Sequence, residues 1–125
     1  MSFDYRFCPQ CATPLVEQHN AGRVRIACPA PDCGFVHWNN PLPVLAAVVE
    51  YRGQLLLAHN ALWPAGMFAL VTGFLERDET PEDGIARELK EETNLDAQSI
   101  SLIGVYEFIR KNELIIAYHV VADGE

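Results

Sequence analysis

Three glutamates, Glu88, Glu91 and Glu92, stand at i, i+3 and i+4, a spacing that places their side chains on one face of a helix. Carboxylates so close repel one another, and the arrangement makes most sense where a divalent cation compensates their charge. Hard oxygen ligands of this kind suit Mg2+ or Mn2+, which keep waters and bind substrate phosphates at the same time. The chemistry implied is hydrolysis at phosphorus. The metal would neutralise diphosphate oxygens and stabilise the charge developing in the transition state, while a second ion or a nearby carboxylate activates the attacking water. Arg87 precedes the cluster and is placed to hold Glu79 in a two-point ion pair across a loop. Gly73, where the chain is expected to leave a strand, would permit an unusual turn and close approach of a phosphate or metal to the backbone. Three glutamates in isolation more often form a solvated acidic face, so this reading depends on their surroundings.

A second set of ligands lies upstream. Cys8-Pro9-Gln10-Cys11 and Cys28-Pro29-Ala30-Pro31-Asp32-Cys33 are short cysteine knuckles separated by sixteen residues, a pattern that favours tetrahedral zinc over free thiols or disulfides. Four cysteine ligands leave no open coordination position, so the zinc would be structural. His19 and His37 are alternative ligands by proximity, but a histidine in a turn is more often simply solvated. The module offers Arg6, Arg23 and Arg25 as positive charges against Asp4, Glu17 and Asp32. That balance disfavours a nucleic-acid role.

The elements that must position these groups fall into two parts. Residues 1–40 hold all four cysteines and few apolar runs, and need a metal staple to fold. Val24 to Ala27 reads as the returning strand of a zinc ribbon. From 41 to 125 the texture changes to strand-like runs at Pro43 to Tyr51, Gln54 to Ala58 and Met67 to Val71, the first two joined by a hairpin at Arg52-Gly53. A helix is expected over Thr80 to Thr93: Thr80 caps, Pro81 suits the first position, and Asp83 completes a capping-box variant. Ile85, Ala86 and Leu89 share its apolar side, and Asn94 tolerates the left-handed conformation that ends helices. Strands at Ile100 to Ile109 and Glu113 to Ala122 follow. Strands around one clear helix indicate an α/β domain with a mixed sheet.

Seventeen acidic against nine basic residues give a formal charge of −8, which argues against general affinity for nucleic acid or an anionic membrane. No apolar stretch reaches membrane-spanning length and the start lacks a signal-peptide pattern, so a cytoplasmic location is expected.

The segment from Gly73 to Leu95 resembles the Nudix box: a glycine, five residues, a glutamate, seven residues, then Arg-Glu-apolar-x-Glu-Glu-x-Gly-apolar. It matches at Gly73, Glu79, Arg87, Glu88, Leu89, Glu91, Glu92 and Leu95, with Asn94 in place of the second glycine. With the cysteine module and the lead-in Leu70 to Glu76, the chain is similar to the zinc-ribbon branch of the Nudix family that includes the NADH pyrophosphatases. The resemblance implies an α/β/α sandwich, Mg2+ or Mn2+ on Glu88, Glu91 and Glu92, support from Glu79 and Arg87, and a homodimer. It also implies cleavage of the diphosphate bond in a nucleoside diphosphate derivative such as ADP-ribose, FAD or NADH. The alternative is a non-catalytic nucleotide-sensing Nudix-like domain, for which a degraded glutamate cluster would be expected. Ser101 to Arg110 replaces the Ser-Gln-Pro-Trp-Pro-Phe-Pro-like stretch of the NADH pyrophosphatases, which loosens the assignment to NADH. Family domains run on with a further strand and helix, so the resemblance implies a domain truncated at Glu125. Phe68, Phe74 and Glu76 join Gly73 as candidate substrate-binding residues, with Trp63, Tyr106, Phe108 and Tyr118 as further aromatics near the box.

Overall fold

A computed structural model of the chain describes residues 5–56 and 70–124. Phe68, Trp63 and the first part of the expected Met67 to Val71 strand lie outside the described residues. The chain divides into two compact units, Met1–Asn40 and Pro41–Glu125.

In the first unit, β1 (Val16–Asn20), β2 (Arg23–Ala27) and β3 (Val36–His37) form an antiparallel sheet in that order. Ala21 and Gly22 both take positive φ, 51° and 82°, the conformation a two-residue hairpin requires. Its small interior is made of Cys8, Ala27 and Cys28. Thiols take the place of a hydrophobic core.

The second unit is a five-stranded mixed sheet: β4 (Leu42–Tyr51), β5 (Gln54–Leu56), β6 (Val71–Phe74), β7 (Asp96–Phe108) and β8 (Glu113–Asp123). β4 and β8 run parallel at its centre, paired from Leu42 with Glu113 to Tyr51 with Ala122. Their near-continuous apolar runs suit strands covered by neighbours on both sides. β5 and β6 both pair antiparallel with β4, and β7 pairs antiparallel with β8. Arg52 and Gly53, at φ 54° and 78°, make the β4–β5 hairpin.

The single α-helix among the described residues, α1 (Pro81–Thr93), has the expected ends. The Thr80 hydroxyl accepts from the Asp83 amide at 3.1 Å. Asn94 closes the helix in the left-handed conformation (φ 61°, ψ 14°), its N–H donating to Lys90 O. Ile85 and Leu89 are fully buried against Leu45, Val49, Val71 and Val120. Gly84 lets the first turn lie close to the sheet, since a Cβ there would come within 2.5 Å of Leu45 Cδ1. A glycine inside a helix costs about 1 kcal/mol relative to alanine, and here it is required by contact. No described helix is long and apolar enough to cross a membrane.

Two boundaries differ from the sequence reading. β7 starts at Asp96, earlier than Ile100, because the polar residues Asp96, Gln98 and Ser99 sit on an exposed edge strand where polarity does not oppose pairing. Register shifts between Ala97 and Ser99 and between Leu102 and Gly104 blur its alternation. The strand before the box runs through Phe74, so Gly73 lies within β6.

Candidate active site

The loop from Leu75 to Thr80 carries the chain from β6 into α1, and Arg87 ties the three together. Its Nε–H donates to Glu79 Oε2 at 3.0 Å and its Nη2 to Glu79 Oε1 at 2.8 Å, a two-point pair. Nη2 also reaches Phe74 O at 3.2 Å, fastening the helix to the end of β6. Glu79 in turn accepts the Glu76 amide at 2.7 Å. The Arg87 guanidinium, with the Glu76 N–H, holds the Glu79 carboxyl below the usual carboxylate range, and Glu79 raises Arg87 in return.

Arg87 also engages two members of the glutamate cluster. Nη1 donates to Glu88 Oε1 at 3.0 Å and to Glu91 Oε1 at 3.2 Å. Glu92 differs from both: burial pushes its carboxyl up, and the charges of Glu88 and Glu91 add to that shift. An acid made reluctant to ionise by its neighbours is where a cation would gain most. The three carboxylates do not converge as the cysteines do. Among the described residues, only the four cysteines bring their ligand atoms within 4.8 Å of one another. Arg87 Nη1 is shared between Glu88 and Glu91 and leaves Glu92 outside that contact.

Gly73 makes no unusual turn, contrary to the sequence reading; it is an extended strand residue. What it provides is space, because a Cβ there would fall inside the Glu88 carboxylate. The close approach to its backbone is made by Glu88, whose side chain is only 12 % exposed. Phe74 is 55 % exposed, and strand alternation turns its ring to the face opposite Gly73 and the helix. The structure therefore does not gather Phe74 with the carboxylates. Glu76 is exposed and contributes its amide to the loop. Tyr118, one of the aromatics near the box, is 3 % exposed and donates to Glu82 Oε2 at 2.8 Å. Burial, then the bond to Glu82, pushes its phenol up to about 12. This anchor under the first helical turn was missed in the sequence, where a tyrosine within an apolar strand was the only signal; Gly84 was missed likewise.

At the cysteine cluster, Cys8 and Cys33 Sγ lie 3.5 Å apart and Cys11 and Cys28 Sγ 3.6 Å apart. Zinc–sulfur bonds of about 2.3 Å would set tetrahedral sulfurs roughly 3.8 Å apart, whereas a disulfide needs about 2.05 Å. The thiols are free and spaced to hold a metal ion. The knuckles are shaped by backbone bonds from Ala12 N to Cys8 O, from Cys8 N to Thr13 O and from Cys28 N to Phe35 O, with Gly34 at φ 80°. The Thr13 hydroxyl and backbone bring Cys11 down to about 6, which favours the thiolate a metal requires.

The sequence model of the NUDIX domain matches residues 40–125. The chain belongs to the Nudix family. Nudix-family relatives also align across the cysteine unit: the NAD-capped RNA hydrolase NudC of Vibrio atlanticus is 32 % identical over 118 residues, which is 94 % of this chain and 42 % of the relative. NudC of Stutzerimonas stutzeri is 30 % identical over 115 residues, 92 % of this chain and 40 % of the relative. The chain thus spans less than half the length of these curated relatives. A crystal structure of a NUDIX hydrolase from Nitrosomonas europaea superposes with a TM-score of 0.81 at 28 % identity, covering 97 % of this chain and 69 % of that one.

Proposed function

We propose that this Nudix chain hydrolyses the diphosphate bond of a nucleoside diphosphate derivative with the help of Mg2+ or Mn2+. The observation that carries the reading is the division of labour on α1: Arg87 bonds Glu88 and Glu91, while Glu92, its carboxyl pushed up by burial and then by their charges, stands beside them. Glu88, Glu91 and Glu92 would hold the catalytic metal, which would neutralise the diphosphate oxygens and activate water. Glu79 and Arg87 position the helix, and Gly73 leaves room for Glu88. In the reaction, a water oxygen bonds to one phosphorus, the anhydride P–O bond breaks, and the water proton passes to a carboxylate or to solvent. The products are two phosphate monoesters. Residues 1–40 would form a zinc ribbon with structural Zn2+ on Cys8, Cys11, Cys28 and Cys33, and residues 41–125 the hydrolase domain, in a cytoplasmic homodimer.

ADP-ribose, FAD and NADH are the small substrates of this class. The NudC relatives add NAD-capped RNA, in which the same kind of diphosphate carries an RNA chain. The deciding experiment incubates the full chain and Mg2+ or Mn2+ with these four compounds. Metal-dependent release of a mononucleotide from at least one is expected; hydrolysis of none would end the proposal.

Gly73→Ala provides a separate check. The added methyl must push Glu88 aside, which a flexible carboxylate allows at small cost in stability. The thermal midpoint should hold within a few degrees while turnover falls by up to about a hundredfold, the scale of a misplaced catalytic group. Unchanged turnover would mean that the position of Glu88 does not matter.

A further inference from the structure

The charge balance of the first unit disfavoured nucleic acid, but its side chains make a surface that charge counting passes over. Trp38 follows β3 and is 45 % exposed. Its ring carries the Arg25 guanidinium at 4.8 Å from the centroid. Arg25 is fixed there: its Nε–H donates to Asn20 O at 3.1 Å and Nη1 to Trp38 O at 3.3 Å. Both side chains lie one step beyond the Ile26–His37 pair, and so share one face of the ribbon. The alternate face is occupied by a self-contained stack, Tyr5 on His37 at 4.4 Å and on Phe35 at 6.3 Å.

We propose that Trp38 and Arg25 form a stacking site for a base of single-stranded RNA. An indole held under a guanidinium and still nearly half exposed offers ring surface as a platform, and any base has a π-face to lay on it. The fixed cation attracts the neighbouring phosphates. Arg6, Arg23 and Arg25 balance Asp4, Glu17 and Asp32 in this unit, so the acidic excess of the chain lies beyond residue 40. A polyanion therefore meets no net repulsion on the ribbon itself. A base already stacked in a duplex cannot reach the indole, which selects single strands. The choice of RNA rests on the substrate reading above; the stacking site itself needs no turnover.

The test uses the full zinc-loaded chain and a labelled, uncapped oligoadenylate of about ten nucleotides, within the usual span of a single-stranded site, followed by anisotropy at low salt. Saturable binding is expected, with a shallow salt dependence because stacking leads and few phosphates are neutralised. Trp38→Ala should weaken it about tenfold, Arg25→Gln less, and Trp38→Phe should keep part of it. Glu92→Gln should bind like the wild type, and a wild-type chain that binds the oligonucleotide but hydrolyses none of the four compounds would count against the hydrolase reading alone. The stacking site is overturned by absence of saturable binding, by Trp38→Ala binding as well as wild type, or by duplex RNA binding equally tightly. A response of the indole fluorescence to an acidic peptide but not to RNA would overturn it in favour of a protein partner. Should Trp38→Ala lose its zinc, Trp38→Phe and Arg25→Gln carry the comparison.

Discussion

Glu92→Gln is expected to lower turnover by at least about a hundredfold, the usual scale for losing a carboxylate that serves a metal or a proton, while making the metal-free protein more stable at neutral pH. The second half of that expectation follows from the direction of the Glu92 shift. Its carboxyl is raised by burial and by Glu88 and Glu91, so the folded state binds the proton more tightly than the unfolded one. The favourable contribution is fully present below the ordinary carboxylate pKa and is lost as pH rises through the raised folded value. At neutral pH the ionised group therefore opposes folding, and glutamine removes the opposition. Thermal melts of the metal-free proteins should show the variant above the wild type at pH 7 and the gap closing toward acid pH. Adding Mg2+ should raise the wild-type midpoint more than that of the variant, since a ligand bound only by the folded state stabilises by about 2.7 kcal/mol at a hundred times its dissociation constant. A variant that keeps its activity, or melts lower at every pH, would show that Glu92 has another role.

Removing metal from the cysteine cluster is expected to have the largest effect on stability. Structural zinc sites contribute on the order of 10 kcal/mol to folding, and among its described residues the first unit buries only Cys8, Ala27 and Cys28 in place of an apolar core. Chelation, or Cys28→Ser, should unfold Met1–Asn40 and expose all four thiols to a thiol reagent. The second unit, with its own core around Leu45, Ile85 and Val120, should keep its melting transition. Slow thiol reaction after complete chelation would refute the metal staple. Because the Cys28 thiol is pushed up and Cys33 up to about 12, metal uptake near neutral pH should release protons from them, which calorimetry in buffers of different ionisation heat can count.

What could be read from the sequence was local. Thr80, Pro81 and Asn94 state both ends of α1 because capping depends on residues within one turn. The Arg52-Gly53 hairpin and the cysteine knuckles obey equally short-range rules. The parallel pairing of β4 with β8 was out of reach, since nothing in either strand names its partner. Gly73 was read as a conformational need when its role is steric, set by Glu88 on a distant helix. The helical spacing gave the shared face of Glu88, Glu91 and Glu92, but it could not reveal that Arg87 turns to two of them and shares one nitrogen between Glu88 and Glu91.

The central pairing also has a consequence in time. β4 is among the most apolar segments of the chain, yet its long parallel neighbour, β8, is made only after β5, β6, α1 and β7. During synthesis the first unit can close around its cysteines as soon as they bind metal, whereas β4 must wait for the chain to return. Non-local pairing of this kind is slow to form and leaves sticky surface uncovered meanwhile. The vulnerable interval in the life of this protein is therefore its birth, when a strand destined for the middle of the sheet is still an edge.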